Sequence, residues 1–226
     1  MAGLGRSLKM IRPAEIKDAA SIAEIHIDAW RHAYEGIVPK EHLDGLGIDE
    51  KTLRWKTILE KSQADTFVME SQGEISGWIS YGQSRGTDCD ETGEIWGLYV
   101  SPRYWRKGVG GALMNHVEGR ARGRRKSTLT LWVLERNQQG RRFYENAGYR
   151  PDRATKMVKI GKKDLEEIRY KKGVKQNAAS NPDSRLPGFV SGASSVECLG
   201  RSTAFRVVSS VWMSYSLCKN HERLRC

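Results

Sequence analysis

The sequence predicts an α/β fold: a mixed, mainly antiparallel sheet of about six to seven strands flanked by about four helices. Three observations carry that expectation. Short apolar runs of period two alternate with longer runs whose apolar residues recur at helical spacing. Two pairs of strand-like runs are joined by tight polar turns, at Gln72-Gly73 and at the GKKDL segment starting at Gly161, as hairpins are. One strand-like run instead passes through Gly108, Gly110 and Gly111 into a helix, which builds a crossover unit into an otherwise antiparallel sheet.

The elements follow in order. KMIRPAE reads as a short first strand, and Asp18 as the cap of a helix with Ile22, Ile25, Ala29, Trp30 and Ala33 on one face. EGIVPKEHLDGL is a turn with a short helical piece, and DEKTLRWKTILEK a second helix. DTFVMESQ and EISGWISYG form the first hairpin. EIWGLYV is a strand, and the helix after it carries Val109, Leu113 and Val117 at helical spacing. LTLWVLE is a strand, NQQGRRFYENAGY a helix stopped at Gly148, and KMVKI with EEIRYKK the closing hairpin.

Residues 1–172 read as one domain and 173–226 as a tail of low order, such as translational read-through would add. The tail holds three of the four cysteines and ten serines, against nine serines in all the preceding residues, and its apolar residues show no clean period. A second domain this small would be hard to stabilise alone.

Composition excludes several classes. No run approaches the ~18 apolar residues of a membrane span, and MAGLGRSLKMIRP lacks the apolar stretch of a signal peptide, so a cytoplasmic protein is expected. Cys89, Cys198, Cys218 and Cys226 stand at no metal-ligand spacing, which predicts neither a zinc site nor a disulfide framework. The net charge of +11 invites a nucleic-acid partner, but much of it is local. Arg122 to Lys126 follow a helix, whose C-terminus favours basic residues. Nucleic acid is therefore the weaker expectation.

The glycines after EIWGLYV carry the chemistry. A strand ending in glycines that open a helix presents main-chain N–H groups at the positive end of the helix dipole, and this makes an anion site. Arg106 and Lys107 add to the field. The phosphate loop with Lys-Ser/Thr after its last glycine is not matched, nor is the dinucleotide fingerprint, because Leu113 stands where its third glycine would fall.

The stretch LYVSPRYWRKGVGGAL resembles the pyrophosphate loop of the GCN5-related N-acetyltransferase (GNAT) superfamily, Q/R-x-x-G-x-G/A, with Trp105 to Gly110 in its six positions. Trp105 departs from the pattern, where the family prefers Gln or Arg. Farther on, LWVLERNQQGRRFYENAGYRP is similar to the family's strand–Asn–helix–Phe-Tyr–Gly-Tyr signature. Helix capping would account for Asn137 alone, and core packing for Tyr144 alone. The spacing between them is what the resemblance explains. It spans about residues 9–172 and implies the GNAT fold.

The resemblance implies acetyl-CoA as acetyl donor and no metal. Arg106, Lys107, Gly108, Val109, Gly110, Gly111 and Ala112 would bind the pyrophosphate. The backbone of Leu98, Tyr99 and Val100 would pair with the pantetheine arm, and Asn137 would hydrogen-bond it. An amine would attack the thioester directly, with a backbone N–H at Val100 polarising the carbonyl and Tyr144 serving the departing sulfur. Glu94 falls where histone-acetylating members carry their catalytic Glu. Counting in twos puts it on one strand face with Trp96, Leu98 and Val100, either as base or as a solvent-facing carboxylate.

The acceptor would be a small-molecule or peptide amine, and a homodimer is consistent with the family. Trp30 and Tyr34, four apart on one helix face, are candidates for the acceptor wall or for core packing. His26 and His32 read as packing or surface residues. Asp88, Asp90, Glu91 and Glu94 form an acidic cluster that would either favour a cationic acceptor or be solvated loop charge. The competing expectation is a silent GNAT module that binds CoA without transfer.

Overall fold

The computed structural model describes residues 9–62, 64–86 and 88–174. The order is β1 (Lys9–Pro13), α1 (Ala19–Ala33), α2 (Lys40–Asp44), α3 (Ile48–Lys61), β2 (Asp65–Ser71), β3 (Glu74–Gln83), β4 (Thr92–Val100), α4 (Val109–Gly123), β5 (Thr128–Leu134), α5 (Gln138–Asn146), β6 (Arg150–Ile160) and β7 (Lys163–Gly173). The seven strands form one sheet in the order β1-β2-β3-β4-β5-β7-β6. Only β4 and β5 run parallel, joined by the crossover through α4. The short helical piece at Lys40–Asp44 counts as a helix, so the α-helices among the described residues number five.

Turn chemistry sets the hairpins. Gln72 and Gly73 both take positive φ, 56° and 78°, which matches the twist of antiparallel strands in a two-residue turn. Gly148, at φ 88°, ends α5 in the left-handed region that stops helices. Asp18 does not cap α1 as expected. Its carboxylate accepts from the Glu15 N–H at 2.7 Å and pairs with Arg12 at 2.7 Å, tying β1 to the helix start.

Two apolar layers sandwich the sheet. Val109, Leu113, Val117 and Ala121 of α4 pack with Ile79, Ile95, Leu129, Leu131 and Val133 on one side. On the other, Ala19, Ile22 and Ile25 of α1 pack with Trp55, Val68 and Trp78, as the helical spacing predicts. His26 belongs to this layer rather than to the surface. It is buried and stacked 4.8 Å from the Tyr99 ring, and burial lowers its affinity for a proton well below the ordinary imidazole value.

The domain continues past the expected boundary at residue 172. Gly173 ends β7, and Val174 donates its N–H to the Ser127 carbonyl at 2.7 Å with its side chain in the α4-side core. The rest of the expected tail lies outside the described residues.

Two outcomes are expected. Val174→Ala should cost about 2 kcal/mol of stability through lost apolar burial and the space left behind, read as a lower urea midpoint at constant m-value. His26 is proton-poor when folded and near its free value of about 6.5 when unfolded, so the unfolded chain binds the extra proton below that pH. Stability should therefore fall as pH drops through the window below about 6.5, and His26→Phe should flatten that slope by up to about 1.4 kcal/mol per pH unit.

Candidate active site

The site arises where two parallel neighbours part. β4 and β5 pair only from Thr92↔Thr128 to Ile95↔Leu131, although β4 runs on to Val100 and β5 to Leu134. Between the diverging ends lies a cavity of about 740 Å³. Its lining runs from Arg106 and Gly108–Gly111, along Leu98, Tyr99 and Val100, past Asn137 and Tyr144, to Trp30, Tyr34 and Glu167. The expected cofactor loop, the Asn–Tyr pair and the aromatic pair thus share one space. Lys107 and Ala112 do not line it.

Strand register decides which amides are open. The Ser101 N–H donates to the Ser76 carbonyl at 3.0 Å, extending the β3–β4 ladder. Antiparallel pairing alternates, so Tyr99 and Gly97 also turn their amides to β3, while Leu98 and Val100 turn theirs to the gap. The backbone of Tyr99, expected beside the cofactor, is committed to the sheet. Its side chain instead enters the aromatic end, where its hydroxyl accepts from the Trp30 indole N–H at 3.0 Å.

The β4 face assignment needs correction. Ser80 opposes Gly97 and Tyr81 opposes Ile95, so Trp96 is an extra residue, a β-bulge. Counting in twos fails across a bulge. Ile95, Leu98 and Val100 face the α4 layer, and Tyr99 faces the α1 side. Glu94 therefore does not share a face with Leu98 and Val100, nor does it line the cavity. It is buried, accepts from the Arg85 N–H at 2.9 Å and Nε at 3.1 Å, and meets the Arg85 Nη2 in an ion pair.

The acidic mouth is not assembled either. Asp88 accepts from Ser84 Oγ at 2.7 Å and pairs with Arg169 at 3.0 Å, and none of Asp88, Asp90, Glu91 and Glu94 lines the cavity.

The α4 start forms a cradle of open main-chain N–H groups. Arg106 and Gly108 take positive φ, 59° and 81°, bending the chain so that Gly108 stands at the helix cap with no side chain bonded to the helix end. The Lys107 N–H is held by the Tyr104 carbonyl at 3.3 Å, and the Ala112 N–H by Gly108 at 3.0 Å. The amides left for an anion therefore narrow to Gly108–Gly111, since a helix start leaves its first N–H groups without intrahelical partners. Gly110 serves packing: a Cβ there would sit 3.2 Å from the Phe143 ring. Trp105 donates its indole N–H to the Val100 carbonyl at 2.8 Å, fastening the loop to the end of β4.

Across the gap, Asn137 caps α5, its Oδ1 accepting from the Gly140 N–H at 2.9 Å, which leaves the amide Nδ2 as a donor at the cavity wall. Tyr144 packs edge-on to Phe143 at 5.3 Å. Burial raises the Tyr144 phenol well above its ordinary value, with the nearby Tyr99 adding to the shift, so at neutral pH the hydroxyl keeps its proton. Trp30 and Tyr34 meet edge-on at 5.0 Å.

Among the wall residues that escaped the sequence reading are Glu167 and Trp132. Their signal was period two. Leu165 is buried on β7, so Glu167, two residues on, faces inward with it, and its β6 partner is the inward-facing Lys156.

A bare helix N-terminus beside parted parallel strands suits a ligand that carries an anionic group and can extend along β4. Residues 21–149 match the acetyltransferase (GNAT) family model, so the chain belongs to that family and is an acetyl-CoA-dependent N-acetyltransferase by membership. An uncharacterised N-acetyltransferase of Bacillus subtilis, YuaI, is 30% identical over 128 residues, covering 56% of this chain and 72% of that one. A probable N-acetyltransferase of Mycobacterium tuberculosis, Rv2775, is 26% identical over 147 residues, covering 64% and 82%. The fold is shared with the PaiA N-acetyltransferase of Thermoplasma acidophilum, solved in complex with coenzyme A. Its TM-score is 0.61 at 20% identity, covering 74% of this chain and 99% of that one. Among the described residues, no helix is long and apolar enough to cross a membrane.

Gly108→Ala should strain the cradle without a clash, since nothing lies within 4 Å of a Cβ there and only its φ of +81° opposes a side chain. A left-handed Ala costs about 1–2 kcal/mol. The expected result is a melting point lowered by a few degrees and CoA affinity weakened roughly tenfold by calorimetry.

Proposed function

We infer that the protein moves the acetyl group of acetyl-CoA onto a primary amine by direct attack in a ternary complex. The observation that carries this reading is one continuous cavity running from the bare N-terminus of α4 to the Tyr144 hydroxyl and on to an aromatic end. Gly108–Gly111 would hold the pyrophosphate, the backbones of Leu98 and Val100 the pantetheine arm, and the Asn137 amide its far side. CoA bound to PaiA, and acetyl-CoA bound to YncA of Salmonella typhimurium, lend this support from proteins of the same fold.

Two of the chemical demands then have a named group. A tetrahedral oxyanion needs a main-chain donor, and the Val100 N–H, with that of Leu98 nearby, is turned to the gap. The departing thiolate needs a proton, which Tyr144 retains because burial disfavours its phenolate. No cysteine nucleophile is required, and Cys89 stands outside the cavity lining. The amine must arrive neutral, whereas an alkyl ammonium, with a pKa of roughly 10, is about one part in a thousand neutral at pH 7.

Tyr144→Phe tests this. Turnover, followed as free thiol release with a primary amine present, is expected to fall about 100-fold with CoA affinity kept within about twofold. Unchanged turnover would remove Tyr144 as the acid. CoA binding with no acetylation across an amine panel would favour a silent module instead.

A further inference from the structure

Glu167 is the one carboxylate among the described residues that line the cavity, and it lies at the aromatic end. It is 3% exposed, on β7, opposite Lys156 of β6. The Lys156 ammonium stands 3.3 Å from it and 3.8 Å from the centre of the Trp132 ring. Trp132 lines the same cavity. Trp30, Tyr34 and Tyr99 complete that end, and the Tyr34 and Tyr99 hydroxyls both feel the Glu167 charge. The β4 carboxylate, Glu94, is engaged by Arg85 outside the cavity.

We propose that Glu167 is the carboxylate that receives the acceptor's primary alkyl ammonium within this aromatic cage and takes its proton before attack. The proposal rests on the N-acetyl transfer reading above and names the acceptor class for that site. A carboxylate with aromatic walls is what an alkyl ammonium needs when it leaves water: an ion pair on one side and ring faces on the others. The chain's own Lys156, a primary ammonium on a hydrocarbon stem, already sits between Trp132 and Glu167, so these two walls accept that chemistry.

The proton balance closes. Glu167 takes one proton from the ammonium and passes it to solvent. The neutral nitrogen attacks the thioester carbon, forming the C–N bond as the C=O electrons move to oxygen. Collapse breaks the C–S bond, and Tyr144 gives its proton to the thiolate. The second proton lost from nitrogen restores the phenol. The products are the amide, free thiol and one released proton. The charged and titratable groups around Glu167 are Lys156 from β6, Tyr99 from β4, Tyr34 after α1 and Arg169 along β7, with Arg85 and Glu94 acting on Lys156.

The test compares wild type with Glu167→Gln, Glu167→Asp and the double variant E167Q/K156M, which removes the ion pair as a unit should the lone Gln leave a buried ammonium unpaired. Acceptors are an alkyl diamine, a lysine-bearing peptide, and an aryl amine that is already neutral at pH 7. The two alkyl arms tell a free small amine from a protein side chain. Expected for Gln is a loss of about 100-fold in kcat/KM with the preferred alkyl amine and a change under about threefold with the aryl amine. Asp should recover part of the activity, and the folded double variant should remain as impaired as Gln. Full alkyl-amine turnover in the Gln or double variant, or equal losses with alkyl and aryl amines, would overturn the role of Glu167 alone. Wild type that binds CoA yet acetylates no amine would instead end the transfer reading itself.

Discussion

The structure turns on a parallel pairing that stops early. β4 and β5 share four residue pairs and then separate, each still flanked by a partner on its other edge. Backbone groups facing an empty gap inside a protein are costly unless something polar meets them. Leu98 and Val100 turn such groups toward the gap, where among the described residues the Trp105 indole meets the Val100 carbonyl. A ligand with amide-like chemistry, lying along β4 as an added strand, would meet the rest. The bare start of α4 poses the same problem at the mouth of the gap, and an anion would answer it.

The bulge at Trp96 makes this arrangement possible and also sorts the chemistry by face. It reverses the facing of β4 halfway along its length. Leu98 and Val100 thereby stay with Ile95 in the α4 layer, while Tyr99 swings toward α1 and closes the aromatic end with Trp30. It also separates Glu94 from the cavity, where Arg85 engages it. Among cavity-lining carboxylates that leaves Glu167, contributed by a different strand and held against Lys156. The aromatic end carries partly buried tyrosines whose hydroxyls keep their protons, so its polarity comes from neutral donors and from the Glu167–Lys156 ion pair.

Much of this was legible in the sequence. Period-two and helical spacing, the Gln72-Gly73 turn and the glycines before α4 sufficed for the α/β class, the hairpins and the crossover. The resemblance of two motifs brought together residues that line one cavity, from Gly108 to Tyr144, and the helix spacing of Trp30 and Tyr34 added its aromatic end. What stayed hidden had local physical causes. A bulge leaves no mark in composition, so face counting along EIWGLYV erred. The Asp18 carboxylate found Arg12, six residues earlier on β1, a contact no capping rule contains. Glu94 met Arg85 and Asp88 met Arg169, which turned two members of a suspected acidic mouth into ion pairs. Glu167 looked like one charge among many in EEIRYKK until the inward facing of Leu165 fixed its side.

The most direct measurement is amide-resolved NMR of the full chain titrated with coenzyme A. The account requires the largest shifts at Gly108, Val109, Gly110 and Gly111 and at Leu98 and Val100, with Tyr99 and Ala112, whose N–H groups are already committed, moving less. Binding that leaves the α4 start undisturbed, or no binding by a well-folded chain, would contradict it.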